Sequence, residues 1–466
     1  MNIRKITAAL LITAMMVIPV TATAAGQDPA DDLIERFKSE TCCDHVSVCI
    51  YDNGNITYYG DSSALYQIGS MTKAFTGLAV QKLICDGLIS EDDVISDHIP
   101  GYKAVYEGAE VDITIYDLLT QTSGYTNNEK DYPSATGSMT LTEWADTISG
   151  LPLRSRPGTE YAYSNVNFNL LGLIIENVTG KSYRSYMENE ILKPLGLEHT
   201  YVGMPGNASV TEGTRLGYRH TFEFPLEVRE ASIPAGYFYS DAEDMAGWIG
   251  IWTGDASVPE EFAKPLAQVK SNLADEGDYY SGWELFADGV IGHSGGTPNY
   301  SSRIVFSEDK HTGVCVLTAL NVAATTDSLC NALMDMTCGS ASESGALARD
   351  IWTVFDLIFT AVTFAGIALL IAGLLIRKRA ILITIDVSLI ILLALMIILF
   401  PGIFGAGLAS ILFTWAPWSL AGGMLVIAAD ITVLTIILFT GKKNADRNET
   451  GGGTASHRHN RIFRVQ

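Results

Sequence analysis

Apolar and polar positions divide this 466-residue chain into three regimes. At the start, Arg4 and Lys5 precede an apolar run over 6–20, then Ala22-Thr23-Ala24. That is the three-part layout of a secretory signal peptide over 1–25, with cleavage after Ala24 or Ala25. At the other end lie three long apolar runs, about 353–376, 380–400 and 420–440. Each has roughly the 20 residues a helix needs to cross about 30 Å of hydrocarbon. Arg377-Lys378-Arg379 separates the first two, and Lys442, Lys443 and Arg447 follow the third. If residues 26–350 are exported, the first run enters, the second exits and the third enters again. Both basic clusters then fall on the cytoplasmic side, as the positive-inside rule requires. The expected layout is an extracytoplasmic domain over 26–345, a membrane region over 346–440 and a polar, Gly-rich, disordered cytoplasmic tail over 441–466.

The middle regime has the mixed periods of a soluble domain. Residues 46–52 and 55–60 flank Asn53-Gly54, a dipeptide suited to the positive φ values of a tight turn, and predict a β-hairpin. Residues 68–87 predict a helix with Met71, Ala74, Phe75 and Leu78 as one apolar stripe; Val80, Leu83 and Ile84 carry apolar character around it, as in a largely buried helix. A helix start followed by a glycine stop is read over 113–124, and another helix over 167–178, closed by Gly180. Residues 301–306 and 313–320 predict two strands joined at Glu308-Asp309-Lys310. Strands at both ends with helices between them predict an α+β domain whose terminal strands share one sheet.

Charge narrows the function classes. Residues 26–350 hold 19 basic against 47 acidic residues, a formal charge of about −28. Such a field repels phosphate backbones and argues against a nucleic-acid partner. All seven cysteines lie in the exported part, their spacings match no zinc pattern, and their number is odd. Cys42-Cys43 and Cys330 or Cys338 are candidates to staple the domain's ends; the alternative is that most are small buried apolar residues.

Candidate chemistry begins at Ser70-Met71-Thr72-Lys73. A hydroxyl is a poor nucleophile until a base takes its proton, and residues i and i+3 of a helix share a face, so Lys73 lies beside Ser70. Tyr163-Ser164-Asn165 follows Arg156-Pro157-Gly158 and precedes an apolar helix, and His293-Ser294-Gly295-Gly296 precedes a strand. Singly, these read as a cap and a solvated lysine, a packed aromatic, a helix cap and a loop histidine. Together and in this order, Ser-x-x-Lys, Tyr-x-Asn and a basic-x-Gly element resemble the class C β-lactamase and penicillin-binding-protein superfamily. The stretches Ile68 to Phe75, Leu118 to Gly124, Leu171 to Glu176, Leu192 to Leu197 and Gly292 to Pro298 resemble that family's blocks too, so the resemblance covers about 40–325.

The resemblance implies an α+β, β-lactamase/transpeptidase-like fold: an antiparallel sheet flanked by helices plus a helical lobe, here followed by three transmembrane helices. It implies Ser70 as nucleophile, forming an acyl-enzyme, with the backbone N–H groups of Ser70 and Gly296 facing the oxyanion. Lys73 and Tyr163 share the proton traffic, and which of them is the acylation base stays open. Asn165 contacts a substrate amide and helps fix Lys73; His293, Gly295 and Gly296 line the substrate. No metal or organic cofactor is implied. The implied substrates are peptidoglycan-related D-amino-acid peptides, small esters or β-lactams, with the lipid bilayer as the other partner. Many relatives have lysine where this chain has His293; a mostly neutral residue there weakens the grip on a substrate carboxylate and resembles the esterase and D-amino-acid-peptidase branches. Gln121, where relatives often have histidine, is read as structural. The alternative from another class is a sensor that stays acylated and signals through its membrane helices. Within the apolar runs, Asp356 and Asp386 lie near helix ends and are read as reaching the interface, whereas Asp430 lies near mid-membrane. Trp415 and Trp418 beside Pro417 predict an outer-face interfacial loop.

Overall fold

The computed structural model describes residues 28–276, 278–339, 346–375 and 378–450. The expected leader over 1–25, Arg377 and the tail beyond Thr450 lie outside the described residues.

One seven-stranded antiparallel sheet organises the domain, in the order Tyr279–Tyr280, Trp283–Leu285, Ile291–Thr297, Tyr300–Ser307, Thr312–Thr318, Val46–Asp52, Asn55–Tyr59. The strand Val46–Asp52 pairs with Thr312–Thr318 from Val46↔Thr318 to Asp52↔Thr312, so both ends of the domain meet in one sheet as expected. Asn53 and Gly54 take φ of 50° and 81°, the turn their dipeptide predicts. Both faces of the sheet are covered, which is why its central strands read as near-continuous apolar runs. Helices Pro29–Thr41 and Ala323–Thr337 bury Ile34, Phe37, Leu329 and Leu333 against Val48, Val314 and Val316 on one face. Helices Thr72–Cys85 and Ala242–Trp252 cover the other, where Phe75 stacks on Trp248 at 4.2 Å between ring centroids.

The helix Thr72–Cys85 is buried along nearly its whole length, between the sheet and a helical lobe built around Asn165–Thr179. Its tightest packing uses glycines: a Cβ on Gly282 would strike the backbone of Lys73, and one on Gly77 would strike Ser281. The helix read over 113–124 is shorter than its pattern implies. It spans Ile115–Leu119, opened by a Thr114–Asp117 capping box, and ends where Gln121 turns to φ 61°. All seven cysteines are free thiols, so no staple forms, and the four buried ones, Cys43, Cys49, Cys315 and Cys330, serve as small apolar packing groups.

Among the described residues, three helical segments, Ile351–Leu375, Arg379–Ile403 and Trp418–Thr440, are long and apolar enough to cross a membrane. The last is helical through Thr450, ten residues past the end expected for its apolar run. The first and third pack through small residues: a Cβ on Gly373 would lie 2.9 Å from Leu434, and one on Gly423 2.8 Å from Phe359. Asp356 does not reach outward to an interface as the sequence suggests. It is fully buried and accepts from Tyr218 N (2.7 Å), Arg219 N (2.8 Å) and Ser419 Oγ (2.7 Å), tying two apolar helices to the hairpin 214–223.

Candidate active site

Ser70 sits in a single 3₁₀ turn, Gly69–Met71, that feeds the buried helix Thr72–Cys85. The turn lies directly on the strand Ile291–Thr297. Gly69 has φ +52°, and a Cβ there would approach Gly296 N to 2.5 Å and Gly295 C to 2.9 Å. A Cβ on Gly295 would strike Ile68 O and Ser302 Oγ. Glycine on both sides of this contact is what lets the serine turn and the strand touch. Ser302 Oγ donates to Ile68 O at 2.8 Å, and Thr72 Oγ1 donates to Gly69 O at 2.7 Å, fixing the turn from both ends.

Lys73 is completely buried, and its Nζ has three partners: Ser70 Oγ at 2.9 Å, Asn165 Oδ1 at 2.7 Å and Ala235 O at 2.6 Å. Burial holds its pKa well below the ordinary lysine value. A neutral amine has two N–H bonds and one lone pair. The Ala235 carbonyl can only accept, and the Asn165 oxygen accepts likewise, so those two take the N–H bonds. In the free-amine form, the Ser70 hydroxyl is left to face the lone pair. Tyr163, also hydrogen-bonded to Ser70, has its phenol pushed above the ordinary range by burial, so it stays protonated.

His293 lies behind Tyr163, with ring centroids 6.0 Å apart. Its Nδ1 is 2.6 Å from Ser294 O. A carbonyl only accepts, so Nδ1 carries the hydrogen and Nε2, which has no partner, presents a lone pair. Burial, the largest cause, pushes its pKa down to about 3. His293 is therefore neutral, more firmly than an ordinary histidine.

The structure brings Ser70, Lys73, Tyr163, Asn165 and His293 together, with Gly295 behind the serine turn and Gly296 facing the cleft. A Cβ on Gly296 would meet nothing within 4 Å. Of the supporting residues, only Gln121 and Ser294 lie in motif blocks. Gln121 Oε1 accepts from Ser164 N (2.9 Å) and Asn167 Nδ2 (2.5 Å), and so holds the Tyr163–Asn165 turn; its structural reading stands. Ser294 Oγ donates to Asp327 and accepts from Arg303, a half-buried network under the strand. Neither the Ala235 carbonyl nor Asp327 carries a spacing signal.

A cleft of about 450 Å³ opens over Ser70, Tyr163, Asn165 and Gly296. Arg229 and Tyr237 line it from the catalytic domain. Ser410, Thr414 and Trp415, from the turn between the second and third apolar helices, line it as well.

The family model described as Beta-lactamase matches residues 30–335. "Protein flp" of Staphylococcus aureus (strain MRSA252) is 33% identical over 324 residues, covering 64% of this chain and 64% of its own length. The chain thus spans less than two thirds of that relative. A "Putative D-alanyl-D-alanine carboxypeptidase" of Salmonella paratyphi B is 27% identical over 287 residues, covering 54% of this chain and 65% of its own. The octameric penicillin-binding protein homologue from Pyrococcus abyssi superposes with a TM-score of 0.59 at 21% identity, over 71% of this chain and 80% of that one. Its fold is this fold. The sensor alternative finds no support among these relatives.

Proposed function

Because the chain belongs to the Beta-lactamase family of serine hydrolases, we propose that it acts through a Ser70 acyl-enzyme on D-amino-acid peptides and small esters, outside the membrane that its three apolar helices anchor it to. The observation that carries this reading is the triple contact of the buried Lys73 amine with Ser70, Asn165 and Ala235. In acylation the Ser70 hydroxyl proton passes to the Lys73 lone pair as Oγ bonds to the substrate carbonyl carbon. Backbone N–H groups of Ser70 and Gly296 receive the developing oxyanion, and one such donor is commonly worth about 2.7–4 kcal/mol of barrier. The Tyr163 phenol gives its proton to the departing amine or alkoxide and is reprotonated from Lys73. Water then repeats the sequence on the acyl-enzyme, with its proton taken by the same pair and Ser70 released.

His293 shapes substrate choice. Neutral at every pH above about 3 and buried behind Tyr163 outside the cleft lining, it offers a substrate carboxylate no ion pair. Substrates that need no carboxylate grip are favoured over penicillins. The test is labelling and turnover by full-length protein in detergent. A fluorescent phosphonate should label wild type and not Ser70→Ala, and short-chain esters and D-peptides should outpace a chromogenic cephalosporin. Labelling that survives Ser70→Ala sinks the mechanism. A cephalosporin rate above the others sinks the substrate assignment.

A further inference from the structure

We propose that the turn between the second and third apolar helices is a wall of the catalytic cleft, with Trp415 a specificity-determining residue of the serine-hydrolase site. The inference rests on the reading of Ser70 given above and adds a part of the site lying more than 300 residues further along the chain.

The turn is built into the catalytic domain. Residues Ile411–Trp415 form one π-helical turn, and such a turn ends in carbonyls with no partner of its own. Arg215, buried in the strand Thr214–Gly217, supplies the partners. Its Nε donates to Ala416 O at 2.5 Å, one terminal nitrogen to Phe413 O at 3.0 Å and the other to Leu412 O at 2.5 Å. The guanidinium also lies 3.9 Å from the Trp418 ring centroid. Burial draws its pKa down to about 10, which leaves it charged at neutral pH.

A second lock stands beside this one. Gly217↔His220 close a two-residue hairpin turn in which Tyr218 and Arg219 both have positive φ, 54° and 62°. Non-glycine residues adopt such a turn at a cost. Here both turn N–H groups are captured by Asp356 from the first apolar helix. From the other side, Lys130 Nζ reaches Pro401 O at 3.5 Å. Docked in this way, the turn sets Ser410, Thr414 and Trp415 in the same cleft as Ser70 and Tyr163.

The arrangement also gives three helices a purpose that one anchor lacks. A single span leaves the chain on the far side of the bilayer, whereas the second and third return a loop to the catalytic side. Rings such as the Trp415 indole select by shape, because cleft walls reject groups that overlap them.

The test compares p-nitrophenyl phenylacetate with p-nitrophenyl acetate on full-length protein in detergent. Trp415→Ala should change the ratio of kcat/KM for the two esters at least tenfold, mainly through KM, and Trp415→Phe should restore it. Arg215→Met should reproduce the change by freeing the turn. Ratios within threefold of wild type in both Trp415→Ala and Arg215→Met overturn the proposal. Amide exchange at Ile411 and Ala416, bonded to Gly407 O and Ile411 O, reads docking without chemistry. It should accelerate at least tenfold in Arg215→Met, and equal protection overturns the wall. Wild-type protein that takes no phosphonate label and turns over no ester overturns the hydrolase reading instead, a failure recognised by the absence of any rate to compare. Exchange then still decides for or against the docked turn.

Discussion

Asn165→Asp isolates the protonation state on which the proposed mechanism depends. The side chain keeps its shape, and its Oδ1 stays near the position 2.7 Å from Lys73 Nζ, but the neutral acceptor becomes a carboxylate. A lysine with the ordinary pKa of about 10.4 is neutral in only about one molecule in 2,500 at pH 7. In the wild type, burial lowers the Lys73 pKa, and the free-amine fraction rises about tenfold each time that pKa falls by one. An opposite charge at this distance acts the other way, raising the pKa of the ammonium by about 1–3. Below the wild-type Lys73 pKa, acylation should therefore fall by about 10- to 1,000-fold, and raising the pH by about 1–3 should restore it. The assay is the pseudo-first-order rate of phosphonate labelling between pH 5 and 10 (a probe that needs no amide contact from Asn165). The acid limb of the profile should move to higher pH with its plateau retained. A rate that drops uniformly, with the limb unmoved, would refute Lys73 as the base and return that role to Tyr163.

Three further outcomes are expected. Tyr163→Phe keeps the ring packing and removes the phenol proton, so turnover of a poor leaving group should slow by about 10²–10⁴; near-normal rates on amide substrates would remove Tyr163 from the proton path. Gly69→Val puts a side chain where a Cβ already meets Gly296 N, at a φ that L residues rarely adopt, so labelling should collapse while circular dichroism stays near wild type; normal labelling would show that the turn does not need this contact. His293 is neutral in the fold down to about pH 3 but titrates near its ordinary value of 6.5 when unfolded, so the unfolded state binds the extra proton between those limits. Stability should fall as pH drops through that window, by up to about 1.4 kcal/mol per pH unit, and His293→Gln should flatten this dependence in thermal-inactivation midpoints; an unchanged slope would place the acid sensitivity elsewhere.

Much of this protein is legible in the chain because the signals are local. The Asn53-Gly54 hairpin, the Gly180 stop and the three apolar runs each follow from neighbours a few residues apart. Ser70 and Lys73 share a helix face by spacing alone, and the family's order of motifs places Tyr163, Asn165 and His293 beside them. Tertiary structure decided what those groups are chemically. The charge on Lys73 and His293 depends on desolvation, a property of every element packed around them, which no motif encodes. The Ala235 carbonyl on Lys73 and the Gln121 clamp on Ser164 join segments 162 and 43 residues apart. Asp356, which reads as an interfacial residue on its own helix, became a buried acceptor because a hairpin some 140 residues earlier brought it two free N–H groups. Trp415 likewise reads as an interfacial aromatic by sequence. Only the three carbonyls that Arg215 holds, across nearly 200 residues, turn that loop into the cleft. Spacing along a chain determines which groups share a face; only packing determines which of them meet in the dry interior where their chemistry changes.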